Sequence, residues 1–264
     1  MGTIFIFFFY SSALKSIIRV NPKYKLFLPQ IQRLDEIFEQ SGKTIYKGRN
    51  EIKVMTWGDP LVNVKRYCVP NILNRVVYTF LRKPKAVRAY LYAQILREKG
   101  INTPEPIAYK LNQGFMNLGI SYLVTKQIPN QRMMYEFGDG GITGREHIII
   151  ALGKFAAKMH EAECLHLDFS PGNILFEELE GGEVRFTLVD VNRMRFGPVS
   201  VRQGCASFAR LWGEEDFRGL LAESYASARG IRDVSQVMRW IDKYHHKFWS
   251  RRPHWSESKT HVVE

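Results

Sequence analysis

The feature that most constrains the fold is a polar stretch at residues 164–176, CLHLDFSPGNILF. Asp168 follows His166 by two positions, and Asn173 follows Asp168 by five. Apolar side chains repeat at helical spacing before this stretch, whereas two strand-like runs follow it and end at Asp190. The pattern therefore predicts a helix, a polar loop and two strands in succession.

The chain before residue 129 has the pattern of a small, mostly antiparallel sheet with an inserted helix. Three strand-like stretches lie within residues 43–67, two helical stretches within 71–100, and two further strands within 105–129. Pro84 and Gly100 are the start and stop signals expected around the second helical stretch.

After Pro129 the pattern becomes mainly helical. Residues 145–164 carry an apolar stripe that should face a core, and two further helices are predicted within 207–250. A sheet-rich half thus precedes a helix-rich half, with a hinge near residues 127–131, and a cleft between such halves is a favoured ligand site. The stripe comprises Ile149, Leu152, Phe155, Ala156 and Met159.

Composition narrows the class of partner and the redox environment. The 264 residues carry a net charge of +12, which favours an anionic partner. The cysteines, Cys68, Cys164 and Cys205, are far apart and lack zinc-site spacing, so they are predicted to be reduced thiols of a cytosolic protein. The apolar run near the N-terminus is far shorter than the roughly 20 residues that span a bilayer. It could be a short interfacial anchor or a buried strand, but we expect a floppy N-terminal extension or the product of an upstream start codon there.

The polar residues around the loop are suited to phosphoryl transfer from a metal–nucleotide complex. Asp168 could orient an acceptor hydroxyl and take its proton. Asn173 and Asp190 offer the oxygen ligands that Mg²⁺ prefers, and His166 would brace the loop backbone by hydrogen bonding. The alternative is a solvated turn, because Asp and Asn are also favoured turn residues.

The sheet-rich half should supply the nucleotide contacts. Lys65 lies on the third predicted strand, before the helices, and is the candidate for the α- and β-phosphates. The turn at Gly48 and Arg49 occupies the position of a phosphate-covering loop, although it lacks the G-x-G-x-x-G pattern. Arg49 or the backbone amides of that turn are expected to do this work.

Five stretches within about residues 17–225 match the pattern of a known family, namely NPKYKLF, IYKGRNEIKV, GINTPEPIAY, HLDFSPGNILF and LVDVNRMRFGPV. In these stretches the chain resembles the lipopolysaccharide kinase family, whose members have a protein-kinase-like fold. The resemblance implies an α+β, bilobal fold with an N-terminal antiparallel sheet, an inserted helix and a mainly helical C-terminal lobe. It also implies ATP as donor, Mg²⁺ as cofactor, and Kdo or heptose of the lipopolysaccharide core as acceptor.

The same resemblance assigns residues and boundaries. It implies Lys65 on the nucleotide phosphates, Asp168 as base, and Asn173 and Asp190 on the metal. The expected organisation is an N-terminal extension at 1–16, a kinase N-lobe at 17–128, a kinase C-lobe at 129–252 and a polar tail at 253–264.

Some positions depart from the pattern of protein kinases. Ser170 stands where many carry a Lys, Asp190 is followed by Val-Asn rather than Phe-Gly, and no Ala-Pro-Glu follows. These departures favour a small-molecule or glycolipid kinase over a protein kinase.

A further departure concerns the partner of Lys65. The Glu expected in the following helix aligns with Leu91, and Glu98 lies about 10 Å further along that helix. Lys65 would then be held by Asp190 and the nucleotide alone, or activity is reduced, or the alignment is shifted. A pseudokinase, or a module that binds nucleotide or glycan without turnover, is therefore the alternative function.

Basic residues near the loop suggest the remaining partners. Arg193, Arg195 and Arg202 could bind an anionic sugar or a lipid phosphate, or else form a solvated basic face. We expect a nucleotide and a lipopolysaccharide-core sugar as partners and no nucleic acid. The expected location is cytoplasmic, with peripheral contact at the inner face of the inner membrane left open.

Overall fold

The chain folds into two compact units and passes from one unit to the other three times along the sequence. The first unit comprises residues 1–129 together with Asp190–Asn192, and the second unit comprises residues 130–189 and 193–264. The computed structural model describes residues 7–9, 15–68, 83–114, 117–129, 132–139 and 141–251.

The first unit is built on an antiparallel sheet of seven strands. Its strand order is β1-β2-β6-β7-β5-β4-β3. Most strands pair with a strand adjacent in sequence, and the exceptions are the pairs β2–β6 and β5–β7. The strands are β1 (Phe7–Phe9), β2 (Lys15–Val20), β3 (Lys43–Lys47), β4 (Asn50–Met55), β5 (Val62–Tyr67), β6 (Pro106–Gly114) and β7 (Asn117–Lys126).

Helices pack on both faces of this sheet. A 3₁₀ helix (Pro22–Phe27), α1 (Leu28–Gln32) and α2 (Leu34–Gln40) share an apolar core with one face. Helix α3 (Lys85–Glu98) packs against the other face, where its Tyr90 meets Tyr109 at a centroid separation of 5.4 Å.

Alternation along β5 decides which of its side chains faces α3. Val62 and Val64 are fully buried in the core shared with α1 and α2. Successive strand residues point to opposite faces, so Lys65 shares the face of Tyr67, which packs with α3 residues. The inserted helix and the lysine of β5 therefore lie on the same side of the sheet.

Helix α3 begins and ends at the predicted start and stop signals. Pro84 precedes the helix, where a missing N–H costs nothing, and Gly100 follows it with φ +71°, a conformation that glycine adopts without a steric penalty. The amide of Ile101 donates to the carbonyl of Leu96 at 2.9 Å and closes the helix end. The other predicted helix, residues 71–83, lies almost entirely outside the described residues.

Strands also occupy part of the segment predicted to be an N-terminal extension. Phe7–Phe9 pairs antiparallel with β2, and β2 pairs with β6. Residues 15 and 16 of that segment therefore belong to the sheet as well. The predicted polar tail at 253–264 lies outside the described residues.

The second unit is mainly helical, with two small antiparallel sheets of order β11-β10-β8 and β12-β9. Its helices are α4 (Glu146–Glu161), α5 (Val201–Ser207), α6 (Glu215–Ala228) and α7 (Val234–Trp249). Its strands are β8 (Arg132–Met133), β9 (Cys164–His166), β10 (Ile174–Glu178), β11 (Val184–Leu188) and β12 (Met194–Phe196).

The predicted apolar stripe on α4 forms part of the core of this unit. Ile149, Leu152, Ala156 and Met159 are buried, and Phe155 stacks on Phe186 with a centroid separation of 5.3 Å. The α+β prediction, with a sheet-rich first half and a helix-rich second half, is confirmed. Among the described residues, no helix has both the length and the apolar character needed to cross a bilayer.

Candidate active site

The loop at residues 164–176 has the predicted setting in the second unit. It leaves α4 through β9, forms a 3₁₀ turn at Pro171–Asn173 and enters β10. β9 pairs with β12, and β10 pairs with β11, so both ends of the loop are fixed by strands. Rigid elements on both sides hold the polar side chains of the loop in position.

His166 joins the loop to the end of β11. Its ring is fully buried, and Nδ1 accepts a hydrogen bond from the backbone amide of Asp168 at 3.1 Å. Because Nδ1 accepts, Nε2 carries the proton and donates to the carbonyl of Val189 at 3.3 Å. The imidazole therefore contacts backbone on both sides, which is the geometry of a brace.

The Asp168 carboxylate forms ion pairs with two guanidinium groups. Nη1 of Arg193 lies 2.9 Å from Oδ2, and Nη1 of Arg210 lies 2.9 Å from Oδ1. The Asp168 side chain keeps 19% of its accessible surface, so the carboxylate is not sealed from solvent. Each carboxylate oxygen thus has its own charge-assisted partner, which fixes the plane of the carboxylate.

Asn173 closes the loop from the other side. Its Nδ2 donates to the carbonyl of Asp168 at 2.9 Å, and its backbone carbonyl accepts from the amide of Val189 at 3.0 Å. Using the amide nitrogen for the loop presents the amide oxygen as the atom that would bind a cation.

The three arginines predicted as substrate contacts have different partners. Arg193 contacts Asp168, whereas Arg195 donates to the carbonyl of Pro198 at 3.2 Å and to Gln203 at 3.1 Å. Arg202 donates to the hydroxyl of Tyr244 at 2.9 Å. Only the first of the three is brought to the loop.

Arg210 was missed by sequence reasoning. It lies in a 3₁₀ helix, Phe208–Arg210, and its guanidinium sits 5.0 Å from the ring centroid of Phe248 on α7. It is 42 residues beyond Asp168, and no local pattern marks it. Packing between α7 and this short helix is what positions it.

The first unit holds the second set of predicted residues. Nζ of Lys65 lies 2.7 Å from Oδ1 of Asp190, across a separation of 125 residues. Nδ2 of Asn192 donates to the same oxygen at 2.5 Å. The structure therefore brings Lys65 and Asp190 together, and it adds Asn192 to the set.

The backbone of Asp190 is strained. Its φ is +54°, in the left-handed region that residues with a side chain rarely adopt. Such a conformation costs of order 1–3 kcal/mol and persists where the surrounding structure enforces it, often at functional sites. The contacts of Lys65 and Asn192 with the Asp190 carboxylate are suited to that task.

Helix α3 contacts the segment that follows Asp190 through Arg88, and not through a carboxylate at the position of Leu91. Leu91 is half-buried in the apolar cluster with Tyr67 and Tyr90, and Glu98 is exposed at the C-terminal end of the helix. Arg88 is 4% exposed, and its Nη1 donates to the carbonyl of Asn192 at 2.8 Å. Lys65 pairs with Asp190, the residue that the first of the three alternatives names.

Positive charge gathers around Asp190 in the first unit. Burial lowers the pKa of Lys85 below its ordinary value, and the nearby charges of Arg49, Lys65 and Arg88 lower it too, whereas Asp190 opposes them. A concentration of cations with one carboxylate is suited to a polyanion that carries a metal ion, such as a nucleotide.

The turn at Gly48 and Arg49 connects β3 to β4 as predicted. The amide of Gly48 donates to the carbonyl of Asn50 at 3.0 Å, and the carbonyl of Arg49 accepts from the thiol of Cys68. A Cβ on Gly48 would approach Tyr46 Oη to 2.7 Å, so the turn is tightly packed against that ring.

The described residues test whether magnesium suits this donor set. They include no cluster of three or more His, Cys, Asp or Glu side chains that would bind a metal by themselves. Magnesium usually takes one or two protein oxygens, with substrate phosphates and water completing its shell. The carboxylate of Asp190 in the first unit and the amide oxygen of Asn173 in the second unit are each an oxygen donor of the kind that magnesium prefers.

Comparison with known proteins agrees with the resemblance. A family model described as the lipopolysaccharide kinase (Kdo/WaaP) family matches residues 46–240, well over half of the chain. A 3-deoxy-D-manno-octulosonic acid kinase of Vibrio cholerae is 24% identical over 157 residues, which cover 55% of this chain and 64% of that protein. One of Haemophilus influenzae is 28% identical over 116 residues, 42% of this chain and 47% of that protein.

The chain therefore aligns with about half to two thirds of the length of these curated relatives. Among solved structures, WaaP in complex with acyl carrier protein superposes with a TM-score of 0.60 at 15% identity. That match covers 88% of this chain and 99% of the WaaP chain, and at this identity it concerns the fold.

Proposed function

The chain belongs to the lipopolysaccharide kinase (Kdo/WaaP) family, and we propose that it transfers the γ-phosphate of ATP to a hydroxyl of a sugar in the lipopolysaccharide core. The observation that carries this proposal is the 2.7 Å ion pair between Lys65 and Asp190. A lysine on a central strand and a carboxylate in a strained turn are the groups that would bind phosphates and metal in such a transfer.

The proposed chemistry at the acceptor centres on Asp168. Its carboxylate would orient the acceptor hydroxyl and accept its proton as the oxygen attacks the γ-phosphorus in line with the bond that breaks. His166, which holds the Asp168 amide and Val189, would keep the loop in register as a brace. Arg193 would balance the negative charge on Asp168 and on the transferred group.

The proposed nucleotide contacts lie in the first unit. Lys65 would bind the α- and β-phosphates, and the turn at Gly48 and Arg49 would cover them. Asn173 and Asp190 would each supply an oxygen to Mg²⁺. When bound, magnesium supplies charge neutralisation of the phosphates and holds them for transfer.

Kdo is the acceptor that the relatives favour over heptose. Both curated relatives bear the name 3-deoxy-D-manno-octulosonic acid kinase, and that sugar carries a carboxylate. The guanidinium of Arg193, about half exposed beside Asp168, is a suitable contact for such an anion. We place the reaction at the cytoplasmic face of the inner membrane, where the core sugars are assembled on lipid.

The test is transfer of label from γ-labelled ATP with Mg²⁺. Acceptors are a core oligosaccharide ending in Kdo, one ending in heptose, and a protein mixture. Label on the Kdo acceptor supports the full proposal, label on heptose alone corrects the sugar, and label on protein alone overturns the acceptor class.

A second candidate function is nucleotide binding without turnover. It is favoured by Leu91, which lies where the helix carboxylate of kinases is expected. In the same assay this candidate predicts saturable ATP binding with no label on any acceptor.

A further inference from the structure

We propose that Arg88 is a positioning residue that couples helix α3 to the metal-binding carboxylate of Asp190, in place of the absent helix Glu. The inference deepens the function proposed above and rests on it. Its structural basis is a continuous chain of short contacts, all within the first unit, from Arg88 through Asn192 and Asp190 to Lys65.

The first step of that chain is a buried guanidinium. Arg88 lies in the first turn of α3 with 4% exposure, where an uncompensated charge would be costly. Its Nη1 donates to the carbonyl of Asn192 at 2.8 Å, and its Nε donates to the carbonyl of Lys83 at 3.1 Å. One planar group therefore ties the start of the helix to the segment after Asp190.

The second step passes from the backbone of Asn192 to its side chain. Once Arg88 fixes the Asn192 carbonyl, the peptide and its amide side chain are constrained together. Nδ2 of Asn192 then donates to Oδ1 of Asp190 at 2.5 Å. This contact acts on a residue whose φ of +54° needs external support.

The third step reaches the strand of the sheet. The same oxygen of Asp190 receives Nζ of Lys65 at 2.7 Å. In protein kinases a Glu of the helix holds the strand lysine directly. Here Arg88 of the helix acts, through Asn192, on the Asp190 carboxylate that pairs with the lysine. The helix, the strand and the segment at Asp190 are thus connected, with a cation on the helix where protein kinases have a carboxylate.

Lysine is a poor substitute for this arginine because an ammonium lacks the planar fork that reaches two carbonyls. In Arg88→Lys the positive charge stays, but one of the two carbonyl contacts is lost. The expected result is a shift of Asp190 from its metal-binding position with the fold retained. Arg97→Lys is a matched control, since Arg97 lies on the same helix and its Nη1 donates to the carbonyl of Thr103 at 3.1 Å, away from Asp190.

The experiment measures ATP dissociation constants for wild type, Arg88→Lys and Arg97→Lys, with excess Mg²⁺ and with a chelator. We expect Arg88→Lys to weaken binding with Mg²⁺ by about tenfold, with little change in chelator. A purely structural role would weaken both equally, and it would lower the unfolding temperature. Equal affinities for Arg88→Lys and Arg97→Lys under both conditions would overturn the inference.

A second variant guards against misfolding of the first. Asn192→Ala removes the amide that contacts Asp190 while keeping the carbonyl that Arg88 uses, and it should reproduce the loss that is specific to Mg²⁺. Combined with Arg88→Lys it should add little further, because both act on the same carboxylate. If wild type binds no ATP, the proposed function fails; if wild type binds ATP normally and both variants match it, only the coupling fails.

Discussion

Nζ of Lys65 on β5 and Oδ1 of Asp190 lie 2.7 Å apart, and both side chains are largely buried, with 15% and 31% of their surfaces exposed. The pair connects β5, an interior strand of the sheet, to a short segment that returns to the first unit 125 residues later. Removing one partner would leave the other charge without its ion-pair partner in a site that excludes much of the water.

The first prediction concerns this lysine. Lys65→Met should lower kcat/KM for ATP by about tenfold or more, because it removes a cation expected on the phosphates and releases Asp190. Steady-state kinetics with varied ATP measure the effect. Lys126→Met, on an exposed lysine of the neighbouring strand β7, is the matched control and should behave as wild type. Equal losses in the two variants would refute the assignment.

A second prediction concerns Arg210, which holds Oδ1 of Asp168 at 2.9 Å. Arg210→Gln should reduce kcat by about tenfold, since Asp168 loses one of two charge-assisted contacts that fix its plane. Unfolding temperature should change little, as the side chain is 35% exposed. Arg232→Gln, at an exposed site, serves as the control. Unchanged turnover in Arg210→Gln would show that Arg193 alone positions the carboxylate.

A third prediction tests the packing of α4 against α6. A Cβ on Gly153 would lie 2.0 Å from Oγ of Ser224 and 3.0 Å from the amide of Tyr225. Gly153→Ala should therefore lower the free energy of unfolding by about 1–3 kcal/mol through overpacking. Gly219→Ala on α6, where a Cβ meets nothing within 4 Å, should be neutral or stabilising by about 0.5–1 kcal/mol. Chemical denaturation compares them, and equal destabilisation would contradict the packing.

A fourth prediction follows from a buried histidine. Burial lowers the pKa of His160 to about 3, while the unfolded chain titrates near 6.5. The unfolded state therefore binds more protons between these values, and this group removes up to about 1.4 kcal/mol of stability per pH unit as pH falls below 6.5.

The test of that prediction is the free energy of unfolding between pH 7.5 and 5 for wild type and His160→Gln. The variant keeps an acceptor for the hydroxyl of Tyr225, which lies 2.9 Å from His160 Nδ1. Its stability should depend less on pH than that of wild type. Parallel curves would mean that His160 does not contribute to acid sensitivity.

The sequence predicted the parts of the site that are local. The spacing of His166, Asp168 and Asn173 lies within one loop, so a single stretch with its flanking helix and strands was enough to identify it. The α+β fold and the family were predicted for the same reason, and both are confirmed. Helix α3 was predicted because Pro84 and Gly100 mark its ends.

Residues brought in by tertiary packing were not predictable. No recognisable motif marks Arg88 in the sequence, and its partner is the carbonyl of Asn192, 104 residues away. Arg210 reaches Asp168 only because α7 packs on the short helix that carries it. Conversely, Arg195 and Arg202 have the same residue type as Arg193, but their hydrogen bonds go to Gln203 and Tyr244 and not to Asp168.

The role of Asp168 as the catalytic base is the central proposal, and the most direct measurement is turnover of Asp168→Asn alongside ATP binding by the same variant. Asparagine keeps the shape of the side chain but cannot accept the proton, so kcat should fall by about 100-fold or more while ATP affinity stays near that of wild type. Glu223→Gln, an exposed carboxylate-to-amide change on α6, should leave both unchanged. Turnover of Asp168→Asn equal to that of wild type would contradict the account.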